Sequence, residues 1–217
     1  ARQVIQKLNI SKIAILYINN DFGVSLRDTL TKAVDKIGAT IVSQESYTQG
    51  DQDFRSQLIK IKAMSPEALF IGGYQEQEVI IKQAYELGIN ILFLAGPTFE
   101  NKSIVDHLGK LAENVIYPYH FDANTDNPET IAYIKAYKKK WGVETGGFAP
   151  LMYDATYIIA NALTYCGNDT QCIKAVLYNT TYKGVSGTIS FDKNGDPNLP
   201  VVIKTVKDGQ FVRWMPN

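Results

Sequence analysis

This sequence has no excess of positive or negative charge and no long apolar run, and it contains only two cysteines and two histidines. Among its 217 residues, 22 Lys and Arg balance 22 Asp and Glu, so the formal net charge is zero. A protein that binds a nucleic-acid backbone needs a basic face, and the densest basic run, residues 138–140, is typical of a solvated helix end. We therefore expect no nucleic-acid partner. Because no apolar stretch approaches about 18 residues, we also expect no membrane insertion.

Motifs for catalysis and for cofactors are missing as well. No Gly-x-Gly-x-x-Gly follows a predicted strand, and no phosphate loop is present. The two histidines, His107 and His120, lack the spacing of metal ligands. Asp51 and Asp53 could pair as acid and base, but they stand where a helix cap belongs. We therefore expect no cofactor, no metal and no catalytic residue, and this favours a binding protein over an enzyme.

The only two cysteines, Cys166 and Cys172, bear on the cellular compartment. Two thiolates cannot complete a zinc site unaided, and a redox pair usually has two intervening residues. The sequence favours a short structural disulfide, and two free buried thiols are the alternative. Such a bridge contributes about 2–3 kcal/mol on the chain-entropy estimate. It would also place the protein outside a reducing cytosol.

The first part of the chain alternates between strand and helix patterns. Continuous apolar runs predict strands buried on both faces, and apolar residues at helical spacing separate them. The predicted strands are residues 13–18, 40–47, 68–71, 91–94 and 115–117. Five strands separated by helices, with short connections, predict an α/β fold with a doubly wound parallel sheet that extends to about residue 119.

The pattern changes after residue 120. Three successive helices are predicted at residues 127–141, 150–165 and 169–178, with Ile131, Ile134 and Trp141 facing inward. Helices of this kind need a sheet to cover, and the sequence contains none for them. The chain then returns to strands, which are predicted at residues 187–191, 201–206 and 211–214.

The fold class locates a candidate ligand site. In open α/β sheets, ligands bind beyond the carboxyl ends of the strands, where the winding direction reverses. With strand order 2-1-3-4-5, the loops that border this crevice are residues 19–23, 72–75 and 96–100. Phe22 and Tyr74 stand beside glycines there, and aromatic faces attract ammonium groups and cover apolar groups. The alternative is that both are merely packed loop aromatics.

An ordered set of motifs resembles type I periplasmic binding proteins, in particular the leucine/isoleucine/valine-binding proteins of ABC transporters. Each motif is weak alone, but the set covers essentially the whole chain. In chain order the motifs are YINNDFG (17–23), YTQGDQDF (47–54), GGY (72–74), QA (83–84) with LG (87–88), GP (96–97) and SGTISFDKNGD (186–196).

This resemblance implies two αβα lobes joined by three crossovers, with the ligand between the lobes. Residues 1–121 and 191–217 would form lobe two, and residues 122–190 would form the helical part of lobe one. The chain would begin just after the first crossover. The sheet of lobe one would then lie upstream of this sequence.

The resemblance also assigns site residues. Phe22 and Tyr74 match positions where the family places aromatic side chains against the ligand. The family's acidic residue after Gly-Pro, which holds the ligand's ammonium group, is Thr98 here. Glu100, two residues further on, is the candidate substitute for that acid. The departure at Thr98 leaves open whether the ligand is a standard branched-chain amino acid.

The function implied by the resemblance is that of a solute receptor without catalysis. It would be periplasmic or extracellular, with a lipid anchor as one form of the full-length protein. It would bind an amino acid or similar small polar solute and deliver it to an ABC permease. A receptor or sensor ectodomain with the same fold is the alternative function, and an enzyme is a third.

Overall fold

The computed structural model describes residues 2–216 and divides into two compact units. Unit 1 holds residues up to 118 together with those from 203 onward, and unit 2 holds residues 119–202. Ala1 and Asn217, which the sequence analysis assigns to lobe two, lie outside the described residues. Each unit is described by itself.

Unit 1 is an α/β domain whose strands and helices alternate. Its helices are α1 (Arg2–Lys7), α2 (Asp21–Asp35), α3 (Arg55–Ala63), α4 (Glu76–Glu86) and α5 (Lys102–Leu108). Its strands are β1 (Lys12–Ile18), β2 (Thr40–Tyr47), β3 (Ala68–Gly72), β4 (Leu92–Ala95), β5 (Ile116–Tyr119), β9 (Val202–Lys207) and β10 (Gln210–Arg213). Two short 3-10 turns, Pro97–Phe99 and Gly109–Ala112, lie between β4 and β5.

The seven strands form one sheet in the order β10-β9-β5-β4-β3-β1-β2. β1 pairs in parallel with both β2 and β3, and β3 pairs in parallel with β4. The order of the first five strands is the 2-1-3-4-5 arrangement of the sequence analysis, so the winding direction reverses between β1 and β3. The predicted doubly wound fold is therefore confirmed. The antiparallel pair β9–β10 extends the sheet at the other edge.

The core of unit 1 explains why the strands are continuous apolar runs. Helices cover the sheet, so consecutive residues of β1 and β3 are buried, whichever way their side chains point. The short helix α1, which the sequence analysis does not predict, adds Val4 and Ile5 to a cluster that contains Ile13 and Leu30. A helix of six residues is too short to display a helical period.

Unit 2 contains the three predicted helices and a small sheet. The helices are α6 (Pro128–Trp141), α7 (Phe148–Cys166) and α8 (Thr170–Tyr178). The antiparallel sheet has the order β6-β7-β8, with strands β6 (Thr181–Gly184), β7 (Gly187–Phe191) and β8 (Pro197–Asn198). β6 and β8 are absent from the sequence analysis, because they are short and are defined only by their pairing with β7.

The ends of α6 follow the sequence signals closely. The Asn127 side chain accepts hydrogen bonds from the amides of Glu129 and Thr130, and Pro128 occupies the first turn. Gly142 ends the helix in the left-handed conformation. The expectation for Trp141 is wrong, since 60% of this residue is exposed. It lies in the last turn, where Lys140 places its ammonium group 5.0 Å from the centre of the indole ring.

The predicted disulfide is present in unit 2. Cys166 at the end of α7 is bonded to Cys172 in the first turn of α8, with 5.6 Å between the two Cα atoms. Asp169 caps α8 between them by accepting from the amides of Gln171 and Cys172. The bridge therefore closes the tight connection between two helices. Among residues 2–216, no helix combines the length and the apolar character that a bilayer crossing requires.

Candidate functional site

The candidate site lies in unit 1, at the edge of the sheet where the parallel strands end. β1 ends at Ile18, β3 at Gly72 and β4 at Ala95, and each is followed at once by a loop and a helical turn. Because the strands are parallel and adjacent, these three loops emerge from the same edge. This edge is where the sequence analysis places the ligand crevice.

The first loop places Phe22 in the opening turn of α2. Asn20 caps this helix by accepting a hydrogen bond from the amide of Gly23, with 3.0 Å between the atoms. A Cβ atom at Gly23 would lie 1.9 Å from the carbonyl oxygen of Ile18, so this position has no room for a side chain. The helix therefore begins directly against the end of β1, and Phe22 is held over the edge of the sheet.

The second loop brings Tyr74 against Phe22. A Cβ atom at Gly73 would lie 1.7 Å from the hydroxyl oxygen of Tyr47, so the backbone passes directly over that hydroxyl. The rings of Phe22 and Tyr74 are stacked, with 5.1 Å between centroids and 11° between planes. Both residues are half-buried. The two candidate aromatics therefore pack on each other at this edge of the sheet.

The third loop ties Thr98 to the second. The Thr98 hydroxyl donates to the carbonyl oxygen of Gly73 at 2.5 Å, and it accepts from Nε2 of Gln77 at 3.0 Å. Thr98 therefore stands beside the residue that precedes Tyr74. The structure brings Phe22, Tyr74 and Thr98 together.

Glu100 belongs to a different set of contacts. Its Oε1 atom lies 2.6 Å from Nζ of Lys204, and its Oε2 atom accepts a hydrogen bond from the Tyr117 hydroxyl at 2.9 Å. Both carboxylate oxygens thus have partners within unit 1. A neighbouring acid at residue 98 is absent, so the loop after β4 presents a hydroxyl where the family pattern has a carboxylate.

Gln77 is a structural residue of the site that sequence reasoning missed. It is fully buried, and its amide nitrogen donates to the carbonyl oxygens of Gly73 and Tyr74 as well as to Thr98. The signal was available, because Gln77 stands three and four residues before the buried Ile80 and Ile81 on the same helix face. A polar residue on an apolar helix face indicates a side chain with a specific partner.

A second group of polar atoms supports the loops from below. Oε1 of Glu76 accepts from the amide of Gly50 at 3.0 Å, which joins α4 to the loop after β2. Burial, reinforced by the negative charge of Glu76, raises the pKa of the Tyr47 phenol, so this hydroxyl is neutral at physiological pH. Tyr47 thus fills the space beneath Gly73 as an uncharged ring.

Aromatic rings, a hydroxyl and glycines are the features that the three loops combine at this edge. The stacked rings of Phe22 and Tyr74 lie next to Gly23 and Gly73, and the Thr98 hydroxyl is hydrogen-bonded to the carbonyl oxygen of Gly73. Within residues 2–216, no group of three or more His, Cys, Asp or Glu side chains is arranged to hold a metal ion. Such a surface suits recognition of a small solute with an apolar or cationic part.

A doubly wound sheet with helices on this pattern has the architecture of a type I periplasmic binding protein lobe. The sequence matches the family model for periplasmic binding proteins over residues 1–210. The chain therefore belongs to the periplasmic binding protein family, whose members bind solutes and are not enzymes.

Individual relatives make the likeness more specific. Leu/Ile/Val-binding protein homolog 1 of Brucella suis is 27% identical over 208 residues, covering 93% of this chain and 56% of that protein. A leucine binding protein from Thermotoga maritima has a TM-score of 0.89 at 25% identity, covering 98% of this chain and 62% of its own. A branched-chain amino acid transporter substrate binding protein from Streptococcus pneumoniae, solved with isoleucine, has a TM-score of 0.84 at 25% identity and coverages of 97% and 61%. The chain thus spans little more than half the length of these relatives.

Proposed function

We propose that this chain is part of an extracytoplasmic solute-binding protein that binds an amino acid or a similar small polar solute. The observation that carries the proposal is the stacked pair Phe22 and Tyr74, held beside Thr98 at the carboxyl edge of the unit 1 sheet. Unit 1 would supply one wall of the ligand site. The similarity to proteins described as binding leucine or isoleucine supports the class of ligand.

The roles of the proposed contact residues differ. Phe22 and Tyr74 would cover the apolar part of the solute or face its cationic group. Thr98 would offer the remaining lone pair of its hydroxyl oxygen, because its proton is directed at the carbonyl oxygen of Gly73 and its other lone pair accepts from Gln77. Lys204 and Tyr117 already bond to the Glu100 carboxylate. For Glu100 this favours a role in supporting the loop over a direct bond to the ligand.

The proposed partner is an ABC permease, and the proposed location is outside the cytoplasm. The relative from Streptococcus pneumoniae is described as a transporter substrate binding protein, which supports the first point. The disulfide between Cys166 and Cys172 supports the second, because such bonds persist in oxidising compartments.

Unit 2 is proposed to be the helical part of a second lobe whose sheet lies outside this sequence. One face of α7 carries Phe148, Met152, Ile159 and Leu163, and all four are exposed. Their spacing of four, seven and four residues places them along a single stripe of the helix. An apolar stripe of this length is typical of a helix that covers a sheet.

The test of the proposed function is a binding titration with a matched control. The full-length gene product is titrated by calorimetry with L-leucine, L-isoleucine, L-valine, other amino acids, their amides and small carboxylates. Tyr74→Ala should weaken binding of the ligand so found by about 1–3 kcal/mol, because it removes aromatic contact and its cation–π contribution.

The control is Tyr85→Ala, which removes a half-buried tyrosine from α4, the helix that follows the loop of Tyr74. Tyr85 packs on Phe93, with ring centroids 5.5 Å apart, and is remote from the proposed contacts. Its removal should lower stability but leave the affinity within a factor of about two. The proposal would be rejected if both variants lost the same affinity, or if no compound of the panel bound the unaltered protein.

A further inference from the structure

A buried ion pair lies next to the proposed ligand loop and takes no part in the proposed contacts. Lys204 on β9 places its Nζ atom 2.6 Å from Oε1 of Glu100, which directly follows the 3-10 turn after β4. The exposed fractions of the two side chains are 6% and 14%. The Tyr117 hydroxyl on β5 donates to the other carboxylate oxygen at 2.9 Å.

Aromatic side chains enclose this ion pair. Phe99 is fully buried and packs on Tyr117, with 5.4 Å between the ring centroids. Phe211 on β10 packs on Tyr117 at 6.3 Å, and the Lys204 ammonium lies 5.8 Å from its ring centre. The pair therefore lies beside aromatic rings with little exposure to solvent, where directed bonds to charged groups are strong.

The same loop is fixed at its other end by neutral hydrogen bonds. The amide of Gly96 donates to the carbonyl oxygen of Ile71 at 3.2 Å, and Thr98 donates to Gly73. Between these bonds and Glu100 there is only the buried Phe99. The position of Thr98 is thus set from one side by β3 and from the other by the ion pair.

We propose that Lys204 and Tyr117 are positioning residues for the ligand loop and act through Glu100. The inference rests on the proposed function of this edge as the ligand site. A buried ion pair is weak evidence for stability, because apolar residues of similar volume often stabilise a core equally well. Its bonds have fixed directions, however, and they hold residues 96–100 in one arrangement before the ligand arrives. Such preorganisation raises affinity because the loop does not have to be ordered on binding.

The test compares single and double variants of the full-length gene product. Lys204→Met and Glu100→Gln each remove one charge of the ion pair and leave the other charge uncompensated, and the double variant removes both charges. Three quantities are measured: the unfolding midpoint in urea, amide hydrogen exchange of residues 98–101, and affinity for L-leucine and L-isoleucine as probes. Tyr117→Phe, which removes one hydrogen bond at nearly constant volume, serves if a charge variant fails to fold.

Positioning and simple stabilisation predict different results for the double variant. Both single variants should lower the unfolding midpoint, and the double variant should recover most of it. If Lys204 positions the loop, amide exchange of residues 98–101 in the double variant stays at least about tenfold faster than in the unaltered protein, because local opening is easier. The affinity of the double variant for the probes likewise stays about tenfold weaker than that of the unaltered protein, which corresponds to about 1.4 kcal/mol.

A second Lys–Glu pair in unit 1 provides the control. Lys60 and Glu45 lie 3.0 Å apart at the surface, and Lys60→Met with Glu45→Gln should change none of the three quantities appreciably. The positioning role would be overturned if, in the double variant of Lys204 and Glu100, the exchange rates and the probe affinity returned to the values of the unaltered protein together with the unfolding midpoint. If neither probe binds the unaltered protein, the proposed ligand class fails, while the exchange data still decide whether Lys204 orders the loop.

Discussion

At the scale of single residues, two glycines decide where the proposed contact aromatics stand. Gly23 allows α2 to begin against the carbonyl oxygen of Ile18, and Gly73 allows the backbone to pass over Tyr47. Phe22 and Tyr74 are next to these glycines in sequence and next to each other in space. A Cβ atom at residue 23 would clash with the carbonyl oxygen of Ile18, and one at residue 73 would clash with the Tyr47 hydroxyl.

Residue 98 provides the sharpest test of ligand chemistry. The Thr98→Glu variant restores a carboxylate where the family pattern has one, while Glu100 remains bonded to Lys204 and Tyr117. We expect affinity for L-leucine, measured by calorimetry, to rise about tenfold, because a charge-assisted bond to its ammonium group becomes available.

The control for this change is Thr98→Gln, which has the size of glutamate without its charge and should not raise the affinity. A native ligand without an ammonium group should bind Thr98→Glu more weakly, since the added charge is desolvated without a partner. A loss of leucine affinity in Thr98→Glu would contradict the assignment of residue 98 to the ammonium position.

At the scale of helices and strands, the alternation of β1 to β5 with their helices could be predicted from the sequence. Strands buried on both faces are continuous apolar runs, and Gly38 and Gly88 mark the ends of the helices before them with positive φ angles of 73° and 69°. α1, β6 and β8 could not be predicted. Each is short: α1 has no helical period to display, and β6 and β8 are defined only by their pairing with β7.

The same distinction applies to the site. Phe22 and Tyr74 could be predicted because each combines a local signal, an aromatic beside glycine, with a position given by the topology. The bonds of Thr98 to Gly73 and Gln77 span more than 20 residues and leave no periodic trace in the sequence. The partnership of Glu100 with Lys204 spans 104 residues and depends on how β9 is placed in the sheet.

Asp154 on α7 is the residue that holds the β6–β7 turn of unit 2. Its buried carboxylate accepts from the amides of Val185 and Ser186, at 2.9 and 2.8 Å, and from the Ser186 hydroxyl. We expect Asp154→Ala to lower the free energy of unfolding by about 3 kcal/mol, because these donors are left buried without an acceptor. Urea unfolding of the full-length gene product measures this change.

Asp192→Ala is the control for Asp154→Ala. Asp192 also accepts from two amides, those of Asn194 and Asp196, but in an exposed turn where water can replace it. Its removal should cost less than about 1 kcal/mol. Equal costs for the two variants would show that the buried carboxylate does not hold the turn.

At the scale of the whole molecule, two observations support the proposal that unit 2 is part of a larger lobe: the exposed stripe on α7 and the greater length of the relatives. The chain covers 56% of the Brucella suis protein and 62% of the Thermotoga maritima structure. A lobe that is missing its sheet would leave the apolar face of its helices uncovered, as Phe148, Met152, Ile159 and Leu163 are here.

This proposal predicts a difference between the 217-residue chain and the full-length gene product with all its upstream sequence. The chain alone should bind its solute at least about 100-fold more weakly, because much of the contact that desolvates and holds a ligand would be absent. It should also bind an apolar dye, because unit 2 exposes its stripe. Equal calorimetric affinity for the two proteins would show that the site is complete without upstream residues.

We propose that a small solute binds at the carboxyl edge of the unit 1 sheet, and amide NMR tests this proposal. The isotope-labelled full-length gene product is titrated with L-leucine or with the tightest ligand from the calorimetric panel. We expect the largest chemical shift changes in unit 1 at the amides of residues 19–23, 72–75, 96 and 98–100. Saturable changes confined to other parts of unit 1, or no change in its amides at saturating ligand, would contradict it.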